Sequence, residues 1–325
     1  MSPFTRCLIW LPLTALIGCA GPGAVQQTSG GYSIVSESVL DASNRYASTV
    51  RVTATFDSRK GVAFKTCSGV LTHAQLILTA GHCVCASHAG TTPEDAGTFV
   101  VDASQCAKTA TVTTVRYRPL SEEQRSILRE DLQWPADVIS HTGRVRPHPE
   151  LKIRYARESD SRELSSNADL AVIVLDRPLV GGLRAVPLSR TKVRVSEPVI
   201  SVGYGVTRPN AEDGGARRIG TNEVASLEET DGKTFRIAKP LLIPPTFSEG
   251  EPLLMRETAS YALAGDSGGP CLRENGDALE LVGIAKTSYR APVEFSEYTS
   301  TYFYREWIRE QLELARKAAS TKPAD

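Results

Sequence analysis

Neither sign of charge dominates this chain: 37 Lys and Arg stand against 37 Asp and Glu in 325 residues, for a formal net charge of +0 at pH 7. No block of Lys or Arg stands out, so the electrostatic footprint of a nucleic-acid-binding surface is missing. No apolar run reaches the ~20 residues that a helix needs to cross a bilayer. Internal repeats and low-complexity segments are lacking as well, which sets aside solenoids and arrays. Cys67, His73, His82, Cys83, Cys85 and His88 cluster in sequence, but Cys83-Val84-Cys85 lacks the ~2–4-residue gap of paired zinc ligands. No metal and no organic cofactor is expected. The 41% hydrophobic content suffices for one large or two modest cores.

What is present is a set of three short motifs. Gly265-Asp266-Ser267-Gly268-Gly269-Pro270 puts a serine in a glycine-rich turn, preceded by Leu78-Thr79-Ala80-Gly81-His82-Cys83 and by Asn167-Ala168-Asp169-Leu170-Ala171. A hydroxyl nucleophile at neutral pH needs a general base in contact with it and an acid that orients the base. The chain order His82, Asp169, Ser267 is that of the chymotrypsin arrangement and differs from the subtilisin and α/β-hydrolase orders. From about Ile34 to about Trp307 the sequence resembles the trypsin/chymotrypsin-like serine peptidases.

The resemblance implies an all-β fold of two packed antiparallel six-stranded β-barrels with a C-terminal α-helix, the active site lying in the cleft between the barrels. Ser267 would be the nucleophile, His82 the general base and Asp169 its orienting acid, while the backbone N–H groups of Gly265 and Ser267 would form the oxyanion hole. Cys67 and Cys83 match the family disulfide that closes the histidine loop. A loop of roughly 17 residues makes that bond worth ~3 kcal/mol in the chain-entropy model. Cys85 and Cys106 form the second expected pair, and Cys271 reads as an inert core thiol. Asp266 would pair with the α-amino group of Ile34 after cleavage of a precursor. The following Ser36-Glu37 departs from the two glycines that the family prefers there.

The pocket that selects the residue before the cut bond departs further. Its floor position is Tyr261, which offers no charge to an Arg or Lys side chain, and its walls fall near Ser288 and Ser296. Leu263 stands where the family has a cysteine, so the disulfide that usually stiffens this region is lacking. At the position of a serine that normally supports the aspartate of the triad, register with Gly283-Ile284-Ala285 places Lys286. A slip would put Thr287 or Ser288 there. An ammonium beside Asp169 would stabilise the carboxylate and compete with His82 for it.

The N-terminus carries an address. Arg6 precedes an apolar stretch from Leu8 to Ile17, which has the length of a signal-peptide core. Leu16-Ile17-Gly18-Cys19 looks like a bacterial lipobox, so Cys19 is expected to be acylated and to anchor the protein at a membrane. The alternative is an ordinary secretory signal cut near Ala20. Ala20 differs from the aspartate that typically retains such proteins at the inner membrane. This points to the outer membrane of a Gram-negative bacterium, on its periplasmic or cell-surface face. An oxidising compartment suits two disulfides.

Strict alternation from Val50 to Phe56 predicts a half-buried strand. Gln75–Thr79, Thr109–Tyr117, Asp169–Leu175, Pro198–Val202, Thr234–Ile237 and Leu279–Thr287 are further strand candidates between turn residues. Ser121-Glu122-Glu123-Gln124 is a capping box that opens a short helix to about Leu132, inside an insertion. A second helix is expected from about Tyr302 to Ala318, with Glu313 and Lys317 as an i,i+4 pair. The expected divisions are a signal peptide at 1–18, a tether and possible activation segment at 19–45, and a first barrel with its insertion at 46–190. A second barrel with the terminal helix follows at 191–318, and 319–325 forms a tail. The functional expectation is an exported serine endopeptidase acting on protein or peptide substrates. The alternatives are a protease-fold binding protein with weak catalysis and an esterase-like hydrolase using the same three residues.

Overall fold

Buried alternation organises the first barrel. β2 (Thr49–Ser58) turns Val50, Val52 and Ala54 fully inward. It pairs with β3 (Gly61–His73) on one side and β7 (Thr109–Tyr117) on the other. β4 (Leu76–Thr79) and β11 (Ala171–Leu175) are apolar almost throughout and buried at every position, as central strands covered on both faces must be. The order β11-β4-β3-β2-β7-β8, with β8 (Ala136–Pro147) returning to β11, closes a six-stranded antiparallel barrel. This computed structural model describes residues 39–58, 61–127, 134–157, 163–179, 181–206, 214–227, 232–238, 262–289 and 295–320.

The second barrel consists of β12 (Pro198–Gly203), β13 (Arg218–Leu227), β14 (Thr234–Ala238), β15 (Pro270–Asn275), β16 (Ala278–Tyr289) and β17 (Phe295–Ser300). Pairing of β13 with β14 closes it, so the two six-stranded barrels and the terminal helix implied by the motifs are the architecture observed. β1 (Val39–Leu40) adds to β13, so residues assigned from sequence to the tether belong to the second barrel instead. The signal, Cys19 and the tether up to residue 38 lie outside the described residues, as does the tail from 321 onward.

A four-stranded sheet grows from the first barrel in the order β10-β9-β6-β5. It is built of β5 (Cys85–Ala89), β6 (Phe99–Cys106), β9 (Lys152–Tyr155) and β10 (Glu163–Asn167). Two separate insertions supply it, one following His82 and the other preceding Asp169. A disulfide between Cys85 and Cys106 staples its first hairpin, and Cys67–Cys83 ties β3 to the one-turn helix α1 (Gly81–Val84). α2 (Glu122–Ile127) carries the reciprocal cap: Gln124 N–H donates to Ser121 Oγ at 3.1 Å and Ser121 N–H to Gln124 Oε1 at 3.0 Å.

The terminal helix α3 (Arg305–Ser320) begins later than Tyr302, because Phe303 and Tyr304 first turn back onto Ser300. Ile308 and Ala315 enter the large core formed mainly by the first barrel, and Trp307 stacks against His148 with ring centroids 4.7 Å apart. Glu313 accepts from Arg316, at i,i+3.

Arg217 joins the two barrels. Its side chain is fully buried, and its Nε donates to Asp41 Oδ2 at 2.8 Å. Its other guanidinium nitrogens reach Val115 O, Tyr204 Oη and Asn44 Oδ1, and the cation lies over the Tyr117 ring at 5.2 Å. Nearly every donor of the fork is thus satisfied, the condition under which a buried ion pair is tolerated. Arg217→Met leaves the Asp41 carboxylate buried without its cation. It should cost about 3–5 kcal/mol in denaturant unfolding, and a loss below about 1 kcal/mol would show that the cluster contributes little.

Candidate active site

His82 sits in the single turn of α1, at the end of the strand that precedes it. Gly81 opens that turn because a Cβ there would lie 2.7 Å from the Leu151 methyls and 3.2 Å from Asp169 Oδ1. The helix can therefore press against the aspartate. Asp169 is only 1% exposed and takes two hydrogen bonds from one residue. The His82 backbone N–H reaches Oδ1 at 2.8 Å, and His82 Nδ1 reaches Oδ2 at 2.7 Å. Burial alone would push the Asp169 carboxyl up, but the His82 contacts outweigh it and hold the group below the usual carboxylate value. With Nδ1 facing a carboxylate, the imidazole carries its proton there and leaves Nε2 available as a base.

The chain around Asp169 is held under strain. Ala168 adopts φ 48°, a left-handed conformation that costs a non-glycine residue about 1 kcal/mol or more. Its N–H donates to Tyr304 Oη at 3.0 Å, so the turn ahead of α3 fixes the residue that aims Asp169.

Ser267 belongs to the second barrel and lies between Gly265 at φ +94 and Gly268 at φ +80. A Cβ on Gly268 would come within 2.2 Å of Thr79 Oγ1 and 2.3 Å of Ser68 O, both from the first barrel. Only glycine allows that approach. Across the junction, Ser68 N–H donates to Ser267 O at 2.8 Å. The Ser68 hydroxyl donates to Gly265 O at 2.8 Å and accepts from Tyr204 N–H at 2.9 Å. Ser68 and Lys65 were both missed from the sequence. Lys65 Nζ donates to the carbonyls of His82 and Cys85 at 2.9 and 3.0 Å, capping the C-terminal end of α1. Burial pulls its ammonium below the usual lysine value, although Asp169 opposes the shift. Only its neighbour Cys67 could have pointed to this site.

His82, Asp169 and Ser267 are thus carried on two barrels held together at one junction, yet no hydrogen bond joins Ser267 Oγ to His82. His82 Nε2 instead lies 3.8 Å from Cys83 Sγ. Such contacts are commonly long without substrate and close on binding. Among the described residues, neither Gly265 N–H nor Ser267 N–H donates to a protein acceptor. The Cys67, His82 and Cys83 ligand atoms lie within 4.8 Å of one another, but both sulfurs are spent in the disulfide, so no thiolate is offered to a metal.

A family model described as Trypsin matches residues 40–308. The chain belongs to the trypsin family. None of the curated proteins compared with it matches.

The trypsin-family pocket residues are only partly visible. Tyr261 and Ile34 lie outside the described residues, and Ser288 is placed in β16 without a described side chain. Ser296 is fully buried in β17, and its Oγ accepts from Ala262 N–H at 2.6 Å, so it supports the loop that leads to Ser267. Lys286 occupies the register position expected from Gly283-Ile284-Ala285, but it does not compete with His82 for Asp169. Its ammonium is held by Glu163 Oε1 at 2.5 Å and Glu297 Oε1 at 2.7 Å. Cys271 is free and buried, and burial raises its thiol far above the usual range, which leaves it inert.

Asp266 is 1% exposed, and its two oxygens accept from Gly205 N–H at 2.7 Å and Leu263 N–H at 2.9 Å. No cation among the described residues pairs with it. Burial raises its carboxyl to about 7, against the pull of the two amides. An acid whose folded value exceeds its unfolded one takes up a proton on folding, so stability falls as pH rises from about 4 to about 7. The limiting slope is ~1.4 kcal/mol per pH unit. Thermal unfolding of a chain with the Ser33–Ile34 bond intact should show this decline, and Asp266→Asn should flatten it. In a chain starting at Ile34, a buried amine pairing with Asp266 would abolish the decline, so identical slopes in the two chains would rule out that pairing.

Proposed function

We propose that this chain is an exported serine endopeptidase that cleaves protein or peptide substrates through an acyl-enzyme. The observation that carries the reading is the double hydrogen bond from His82 to the buried Asp169, beside a serine turn whose peptides are pinned from the first barrel. In this reading Ser267 Oγ attacks the scissile carbonyl while His82 Nε2 takes its proton, and a new C–O bond forms. The Gly265 and Ser267 amides receive the negative charge of the tetrahedral oxygen. His82 then gives the proton to the leaving amine as the C–N bond breaks, and water repeats the sequence to free the acid. Asp169 keeps the imidazole in one tautomer and offsets its positive charge.

A second reading, a binding protein with weak catalysis, is favoured by two features: Ser267 Oγ is not bonded to His82, and Asp266 has no cation among the described residues. An active-site phosphonate separates the two. Rapid stoichiometric labelling, abolished in Ser267→Ala together with a loss of several orders of magnitude in turnover, supports the peptidase. Absence of labelling in the wild type, or equal turnover in the variant, overturns it. Peptide against ester turnover separates it from an esterase. Leu16-Ile17-Gly18-Cys19 supports export with Cys19 acylated and the enzyme tethered to the outer membrane.

The residue before the cut bond is proposed to be uncharged. Tyr261 supplies no carboxylate, and Glu297 is occupied by Lys286 and by Arg236 at 3.1 Å. Profiling against a peptide library should show no dominant Arg or Lys. A strong basic preference would mean that an acidic residue outside the described segments, Glu294 for instance, reaches the pocket.

A further inference from the structure

β16 and β17 are paired residue for residue until Ala285, which faces Tyr298, and resume with Thr287 facing Glu297. Lys286 is the extra residue of this bulge, a device that re-aims a side chain and concentrates beside active sites. The bulge directs Lys286 into the interior, where its side chain is 3% exposed between Glu163 and Glu297. Three different elements meet there. Glu163 opens β10, the strand that runs into Asn167 and Asp169. Glu297 lies on β17 two residues before Thr299, whose hydroxyl reaches Asp169 O at 3.5 Å. Residues two apart in a strand share a face, so β17 presents Glu297 and Thr299 on the side that meets the Asp169 segment.

Among the described residues, the Asp169 carboxylate accepts hydrogen bonds from His82 alone, and no hydroxyl supports it. We propose that Lys286, clasped by Glu163 and Glu297 in the β16 bulge, is a positioning residue that sets the electrostatic field on the Asp169–His82 couple in place of a hydrogen-bonding side chain. This rests on the assignment of His82 as the catalytic base. Geometry supplies the argument: β16, β17 and β10 gather a buried cation and its two carboxylates beside the Asp169 segment, which β17 touches through Thr299 and β10 runs into. The electrostatics agree: Lys286 is among the charges that hold the Asp169 carboxyl down, and burial raises the Glu163 carboxyl against Lys286, with a smaller push from Asp169. Burial would lower the Lys286 ammonium, but Glu163 and Glu297 lift it above the usual lysine range, so it stays charged.

Among the described residues, the other charges around the couple have their own partners or are neutralised. Lys65 approaches from β3 and caps α1. Arg236 reaches the cluster only through Glu297. His148, whose N–H donates to Leu170 O, is driven toward its neutral form by burial, against Glu150. The Lys286–Glu163 pair is therefore the part of this field that a conservative substitution can unbalance. Glu163→Gln keeps an oxygen for Lys286 Nζ to bond and removes one negative charge, which makes the field at the imidazole more positive and disfavours the imidazolium.

The experiment follows the His82 titration by NMR of the imidazole, with the acid limb of kcat/KM on a peptide substrate measured in parallel. Glu163→Gln should move both midpoints down by roughly half to one pH unit, the size expected of one charge several ångströms away in a protein interior. Lys286→Met added to Glu163→Gln should return them toward the wild-type value. A packing role alone would lower melting temperature or kcat and leave the midpoints in place. Unmoved midpoints, or an upward move in Glu163→Gln, overturn the proposal. If the double variant does not fold, the single variant decides alone. The NMR arm reads out even in a chain with no turnover, so failure of the peptidase reading and failure of this one give different results.

Discussion

A carboxylate at 1% exposure is tolerable only if both of its oxygens are engaged, and Asp169 engages both with one residue. Desolvation would otherwise drive it to protonate, and a neutral acid could no longer fix the imidazole tautomer. Much of the local structure serves this pair of hydrogen bonds. Gly81 is small because α1 must lie against Oδ1. Ala168 is strained because Asp169 must turn inward at the start of β11, and Tyr304 holds that strain by accepting the Ala168 N–H. The Cys67–Cys83 bond and the Lys65 ammonium keep the turn that carries His82 from unwinding.

The second barrel meets this arrangement through main chain more than through side chains. Ser68 occupies the junction: its N–H holds Ser267 O, and its hydroxyl bridges Gly265 O and Tyr204 N–H. Backbone contacts between barrels demand close approach, which explains why Gly268 has no room for a Cβ. The same Tyr204 gives its hydroxyl to Thr49 O and accepts from Arg217, and its successor Gly205 donates to Asp266. One short segment thus links the inter-barrel ion pair, the nucleophile turn and the buried acid beside it. Tyr204 and Gly205 alone separate Arg217 from Asp266 in the Ser267 turn.

Glycines at fixed offsets and alternating apolar residues were legible in the sequence because they answer to local geometry. β2 and β7 could be read that way, as could the turn around Ser267. β13 could not, because its inward face carries Gly220, Asn222 and Val224, two of them not apolar. The first part of β8 is exposed on successive residues and shows no period either. The strands β5, β6, β9 and β10 escaped notice for a different reason: two local hairpins become one sheet only through the pairing of β6 with β9, which are distant in sequence. Glu163, Ser68 and Lys65 are polar residues with no motif around them, and only tertiary placement gives them a role. Lys286 was singled out as a departure, but its partners come from two other strands, and no reading of its own neighbourhood could supply them.

The insertions are therefore more than decoration of a barrel. One leaves the chain just after His82 and the other returns just before Asp169, and pairing of β6 with β9 fastens them together. A sheet attached at both ends to the His82 and Asp169 segments restricts the motion of either relative to the other. It also delivers Glu163 to the cluster behind Asp169, which a shorter connection would not reach. Lys286 is buried, so a counter-charge has to reach it, since an unpaired buried ammonium is among the costlier groups a core can hold. Glu163, carried by the segment that precedes Asp169, supplies part of that counter-charge, so the placement of β10 and the burial of Lys286 fit each other.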